Sequence, residues 1–427
     1  MTAPDTTQAP RRAAFGFVFV CAVMNAVSFG IMIPVLPNLI KSFVGGDTAH
    51  ASLINLVFAA TWGVMQFFCG PILGMLSDRI GRRPVLLISF FGLAVDFLFM
   101  AFAPTLAWLF IGRVINGMTA ASFSTTSAYV ADVTAPQDRA KTFGYMGSAF
   151  SFGFLFGPVM GGFLAGPYMT HILGDFALRL PFLVAAGLTA ANWVYGFFVL
   201  PESLAPENRA QKVNWARANP VGSLRFLIDH GELLGLAVTG FLFQLAHSVL
   251  PSIFVLYAGY RYHWSVDIIG LTLMGTGILG IIVQTALVGP VVARIGERGA
   301  LLLGALGGAA GFFCYGLASV GWAYLAAAPV FALVNFLQPG LQGLMTRRVG
   351  PQEQGRLQGA NQSLQGIASI LGPIVFNASF AWAVQNDPVY HVPGLPIFIA
   401  SGLLVCAFLL ALRVGHAPAA VVAAPAE

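Results

Sequence analysis

Charge is what this sequence has least of. Lys, Arg, Asp and Glu make up 9% of its 427 residues, where a soluble domain carries about 25%, so a water-facing surface cannot be built from this pool. Cysteine is scarce too. Cys21, Cys69, Cys314 and Cys406 lie inside apolar segments with no paired or metal-like spacing, which reads as small hydrophobes in packed cores rather than a disulfide or metal framework. The parts of an enzyme are also lacking. There is no nucleophile with a partnered base, no glycine loop followed by Lys and Ser/Thr to cradle nucleotide phosphates, and no cluster of metal ligands. The expectation is a protein that is not an enzyme, does not burn ATP, and uses no metal or cofactor. Acids inside apolar segments are the last scarcity. Of the 16 in the chain, Asp96 alone lies well inside such a segment, Asp132 stands at a helix end, and the C-terminal half has none.

What the sequence has is apolar length. Hydrophobic residues make up 57% of it, with mean hydropathy +0.80. A bilayer-spanning helix needs about 20 mostly apolar residues. Such runs fall near 14–40, 53–76, 85–102, 106–130, 143–165, 179–199, 233–258, 268–292, 299–318, 322–346, 359–384 and 394–413. The fold class expected is an all-α membrane protein of 12 transmembrane helices. Pro and Gly inside several runs, as in "GIMIPVLP" and "GFLFGPVMGG", suit membrane helices, where neighbours satisfy freed backbone groups and small residues allow close approach. Arg11 and Arg12 precede a first run too long for the apolar region of a cleaved signal peptide, so the first helix is expected to stay in place.

The +5 net charge is spread over many short loops, which argues for membrane topology and against a nucleic-acid partner. With the N-terminus placed inside, 17 of the 21 Lys and Arg fall on the cytoplasmic side; Lys41, Arg179 and Arg261 fall outside, and Arg113 lies within a run. That asymmetry sets the orientation and puts both termini in the cytosol. The chain also repeats itself. Shifted by 215 positions, "GMLSDRIGRRPVLL" (74–87) falls on "GPVVARIGERGALL", with Gly74, Arg79, Ile80, Gly81, Arg83, Leu86 and Leu87 meeting identical residues, and Gly157-Pro158 falls on Gly372-Pro373. Two pseudo-symmetric six-helix bundles are expected, 1–200 and 233–427 with a cytoplasmic tail, joined by a cytoplasmic linker at 201–232. Parallel repeats of this kind are a transporter architecture with a substrate site near the midplane.

The loop "GMLSDRIGRRP" crowds Asp78, Arg79, Arg82 and Arg83 between glycines. One reading is a plain positive-inside anchor. The Asp among the arginines, replaced by Ala293 in the second copy, favours a specific ion-pair role. The loop is similar to the signature loop of the major facilitator superfamily. "GRVINGMTAASFSTTSAYVAD" (112–132) resembles its fourth-helix motif, "GFLFGPVMGG" (153–162) its fifth-helix antiporter motif, and "VLPES" (199–203) the end of its N-terminal half. "GIMIPVLPNL", "GLAVDF" and "LGPIVF" resemble the tetracycline-resistance efflux proteins within it, and the likeness covers nearly the whole chain. The resemblance implies alternating access in a bacterial inner membrane, by a monomer whose partners are a small-molecule substrate, protons and membrane lipid. It also implies export of an amphipathic drug or small metabolite in exchange for protons. Asp78, Arg79, Arg83 and Asp132 would then form a conformational charge relay.

Asp96 is suited to exchange protons because a carboxylate is uncomfortable in apolar surroundings, and intramembrane ionisable groups are functional by default. Arg113 follows one short turn after the Asp96 segment. The two are expected to couple ion pairing to proton transfer, the alternative being a permanent pair that only fixes packing. The candidate substrate-cavity residues are Asn25, Gln66, Asn116, Gln244, His247, Gln338, Gln342 and Gln362. His247 also reads as a packed histidine, the amides of the eleventh run as helix–helix glue, and the phenylalanines at 150–156 as packing or lipid-facing. Asn25, Gly280 and Gly308 stand where the resembled exporters would show Asp, His and Asp, so this set suits a neutral or weakly charged ligand. Uptake or exchange of a metabolite by the same fold is the alternative function, and a non-transporting membrane sensor a third.

Overall fold

In the computed structural model, residues 8–119, 122–134, 139–209, 227, 230–350 and 353–414 are described, and every regular element among them is a helix. Of the expected linker, residues 210–226, 228 and 229 lie outside this set, with Lys212, Arg217 and Arg225. The first helices are α1 (Gln8–Met32), α2 (Leu36–Phe43), α3 (Thr48–Ile80), α4 (Arg82–Phe102), α5 (Leu106–Thr119) and α6 (Ser122–Val133). There follow α7 (Arg139–Leu164), the short α8 (Pro167–Leu173) and α9 (Leu180–Val199). After the linker come α10 (Gly231–His247), α11 (Val249–Arg261), α12 (Val266–Ile282), α13 (Val288–Leu317), α14 (Gly321–Ala332) and α15 (Leu337–Thr346). The chain ends with α16 (Gln354–Gln385), the four-residue α17 (Asp387–Tyr390) and α18 (Leu395–Val414).

Ten runs among the described residues are long and apolar enough to cross a bilayer. One of them, Val266–Leu317, is 52 residues long, about 78 Å at helical rise. That is enough for two crossings, and it folds over at Gly296, whose φ of 73° and ψ of 170° are not helical. The shorter apolar helix α5 is a further candidate among the described residues, and this set is consistent with the twelve expected. The surface agrees with immersion in lipid: Phe68, Phe102, Phe198, Leu317 and Leu409 all stand exposed. Trp108, Tyr168, Trp322 and Tyr390, also exposed, lie beside loops expected on the outer side, where amphipathic rings prefer the interface. Of the four free cysteines only Cys21 is in a core; Cys69 is half-buried, and Cys314 and Cys406 are exposed. This corrects the expectation of four packed-core cysteines, and the reason is that a lipid-facing surface is as apolar as an interior.

By mutual packing the chain divides into two compact units, residues up to 218 with 258–277, and 219–257 with 278–427. In the first, Val18 and Cys21 of α1 meet Leu86 and Phe90 of α4, Tyr129 and Val130 of α6 and Met146 of α7 in a buried core. The close α1–α7 contact depends on glycine. A Cβ at Gly157 would lie 2.5 Å from the Gly30 Cα, and one at Gly161 2.1 Å from the Ile31 carbonyl oxygen. The opposite face of α7 takes α12, with Gly162 against the Val266 carbonyl and Gly270 against that of Pro158. "GFLFGPVMGG" is thus a plate of small residues with a helix on each face. Phe154 and Phe156 of the same motif, and Phe152 just before it, are exposed.

The helix that carries Asp96 is held at both ends by charge matched to its dipole. At its start the Glu202 carboxylate accepts from the backbone N–H of Arg82 (2.8 Å) and Arg83 (3.3 Å). At its end Arg179 Nη1 donates to the carbonyls of Ala101 (3.1 Å) and Ala103 (2.7 Å).

Candidate functional site

Three groups of polar residues stand out, two in the first unit and one in the second. The first is internal. Arg113 of α5 donates through Nη2 to Oδ2 of Asp96 on α4, with Asp96 fully buried and Arg113 5% exposed. Gly112 makes the approach possible, since a Cβ there would lie 2.8 Å from Asp96 Oδ1. The sulfur of Met100 accepts a long contact from the same guanidinium nitrogen, 3.9 Å. Asp96 Oδ1 and Arg113 Nε are buried and find no hydrogen-bond partner. An ion pair with idle polar atoms in so dry a place does not maximise stability. Chemically, it is a carboxylate with one oxygen tied to a guanidinium and the other idle.

The second group is the charged loop. Gly81, at φ 110° and ψ 161°, ends α3 and starts α4, so the chain reverses and Arg82 comes back over the last turn of α3. Arg82 contacts the Asp78 carboxylate, donates from Nη1 to Ser77 Oγ (2.7 Å) and from Nε to Asp132 Oδ2 at the end of α6 (3.1 Å). Ser203 Oγ donates to the same Asp132 oxygen, 3.1 Å. Asp78 and Asp132 are therefore brought together as expected of a relay, but through Arg82, which the sequence reading passed over. Arg79 is exposed. Arg83 turns the other way, donating to the Phe197 carbonyl and lying over the Phe197 ring. Glu202 and Ser203 are the other participants missed, and "VLPES" is the signal that carries them.

The third group lines a cleft in the second unit. A cavity of about 410 Å³ is bounded by Phe243, His247, Gln284, Asn335, Gln338, Gln342 and Gln358. A smaller one of about 100 Å³ adjoins it, sharing Gln338, Gln342 and Gln358 and adding Gln244, Asn361, Gln362 and Gln365. Two irregular windings border the larger cavity: a π-turn at Val283–Leu287, which carries Gln284, and a 3₁₀ turn at Leu333–Phe336, which carries Asn335. Such deviations recur at functional positions. Gln244, His247, Gln338, Gln342 and Gln362 are therefore gathered as expected, and the cavity-lining set contains no carboxylate. His247 reaches the cavity and also sets its ring, tilted, 5.6 Å from that of Phe243. Gln358 was missed because α16 begins at Gln354, ahead of the apolar run that signals it. The other three candidates lie in the first unit. Asn25 on α1 and Gln66 on α3 are half-buried, while Asn116 is buried with its carbonyl accepting from Trp62 Nε1 at 2.7 Å, a helix–helix contact.

The Major Facilitator Superfamily profile matches residues 18–373. Among characterised relatives, the chain is 37% identical over 360 residues to the class C tetracycline resistance protein of Escherichia coli, covering 84% of this chain and 87% of that one. It is 32% identical over 398 residues to the class E protein of the same organism, covering 92% and 93%. Among solved structures it resembles the human organic anion transporter MFSD10, at 23% identity and TM-score 0.68, covering 94% of this chain and 99% of that one. This last likeness concerns the fold.

Proposed function

Because the chain belongs to the Major Facilitator Superfamily, and is therefore a multi-pass membrane transporter of small solutes rather than an enzyme, we propose that it exports an amphipathic drug or small metabolite in exchange for protons. The observation that carries this is the sealed Asp96–Arg113 pair. In a chain so poor in charge, one carboxylate enclosed within the helices and matched by one guanidinium is the group equipped to register a proton. Protonating Asp96 forms an O–H bond, cancels the attraction to Arg113 and leaves the guanidinium to find another partner. The α4–α5 contact, which Gly112 leaves room for, then loses the ion pair that crosses it. Tetracycline relatives at 37% and 32% identity support drug efflux as the direction.

The carboxamide-lined cleft is the substrate-binding surface in this reading. Gln338 and Gln342 on α15 face Gln358 and Gln362 on α16 across it, each offering a donor and an acceptor. Such a surface recognises a neutral or weakly charged solute. Asp78, Arg82 and Asp132 form the cytoplasmic contact that makes and breaks as the transporter alternates. The orientation is the one the arginines specify, with both termini cytoplasmic in a bacterial inner membrane.

The test is drug susceptibility in a sensitive bacterial host expressing the protein, against a panel of amphipathic drugs that includes tetracycline. Expression should raise tolerance to at least one compound, and Asp96→Asn, present in membranes at the same level, should abolish the gain. Equal protection by the variant would remove Asp96 from the mechanism.

A further inference from the structure

The 215-residue repeat carries more than matching glycines. Arg82 falls on Glu297, and Asp132 falls on Arg347: both charges are inverted in the second copy. The structure pairs them. Arg82 Nε lies 3.1 Å from Asp132 Oδ2, and Arg347 Nη2 lies 2.8 Å from Glu297 Oε1. The backbone that delivers them repeats as well, for the residue before each loop member is a glycine of positive φ, Gly81 at 110° and Gly296 at 73°. The next residue repeats a third contact. Arg83 donates to the Phe197 carbonyl, and its counterpart Arg298 donates to the carbonyl of Leu412, which is 215 positions beyond Phe197. Reversing one charge alone would have set like charges together. With both reversed, the two copies keep the pairing and exchange its sign.

We infer that Glu297 and Arg347 form a second charge latch, the sign-inverted counterpart of Arg82–Asp132, which positions the reversal at Gly296 within α13 against the end of α15 during the transport cycle. Its seat is built into α15. A Cβ at Gly343 would lie 2.6 Å from the Glu297 carboxyl carbon, and one at Gly340 2.6 Å from the Glu297 carbonyl oxygen, so these glycines form the groove in which Glu297 lies. The Glu297 side chain is 18% exposed while Arg347 is 72% exposed. The arginine is the arm that lets go. This latch is also the weaker of the two, because Ala293 stands where the first has Asp78, and an exposed pair is screened by water and salt.

The inference rests on the transporter reading for its purpose, but not for its test. Full-length protein in proteoliposomes is compared as wild type, Glu297→Arg, Arg347→Glu, the double reversal, and the milder Glu297→Gln. Amide hydrogen exchange over 297–304 and 340–347 should speed up by about fivefold in each single reversal, less in Glu297→Gln, and return to the wild-type rate in the double. Turnover of whichever drug the susceptibility panel identifies should follow the same order with KM unchanged, which a purely structural pair would not produce. Singles that exchange like wild type, or a double no better than the singles, would overturn the latch. Loss of transport in the wild type itself would count against the proposed function, and the exchange arm would still decide the pairing.

Discussion

A carboxylate and a guanidinium sealed among apolar side chains each depend on the other for their charge. Removing one partner of such a pair leaves an uncompensated ion, at a typical cost of about 3–5 kcal/mol. Arg113→Ala should therefore lower thermal stability in detergent sharply, and Asp96→Asn combined with Arg113→Gln should recover most of the loss; equal damage by the single and the double would mean the charges are not what couples these positions. Asp96 was legible in the sequence because it is the one acid deep in an apolar run. Arg82 was not. Arg79, Arg82 and Arg83 are equivalent as letters, and only the reversal at Gly81 decides which of them returns over Ser77 and Asp78. It follows that Arg82→Gln should slow turnover severalfold while Arg79→Gln leaves it within about twofold, an exposed charge contributing little. Matched transport rates for the two would reduce the loop to an anchor.

At the scale of elements, the account turns on how closely helices approach. Gly161 has no room for a side chain against the Ile31 carbonyl, so Gly161→Val should force α7 off α1 and cut the yield of folded protein. Gly147, which has open space around its Cβ position, accepts the same substitution, and size-exclusion profiles of the two variants compare them directly. Gly81→Ala fails for two reasons at once, the positive φ and the displacement of Glu202 from the start of α4. The apolar runs gave the helices their places, because hydropathy reports a solvent. Breaks within those runs were harder to read. The π-turn at Val283–Leu287 comes from packing, which does not change hydropathy, whereas the reversal at Gly296 falls in the gap between the runs 268–292 and 299–318. Gln358 was lost for the converse reason: a polar turn of α16 precedes its apolar stretch.

For the whole molecule, duplication explains most of what was legible. Two copies of a loop fall into register at a single offset, and the contacts Arg83–Phe197 and Arg298–Leu412 answer each other across it. The copies are not equal as sites. The counterparts of Asp96 and Arg113 are Gly311 and Ala328, so the internal ion pair belongs to one copy, and the carboxamide cleft lies in the other. In the proposed cycle the proton is taken up in one copy and the solute is held in the other. Placement in the membrane is tested separately. Reagents that do not cross the bilayer should leave a tag on either terminus unlabelled in intact cells, and labelling of one terminus but not the other would break the twelve-pass topology.

The most direct measurement is transport in proteoliposomes under an imposed pH gradient, with a drug from the susceptibility panel as solute. The account predicts accumulation when the lumen is acid, collapse of that accumulation when a protonophore removes the gradient, and no gradient-driven accumulation by Asp96→Asn although the variant still binds the drug. Accumulation indifferent to the gradient, or equally driven by the variant, would contradict it.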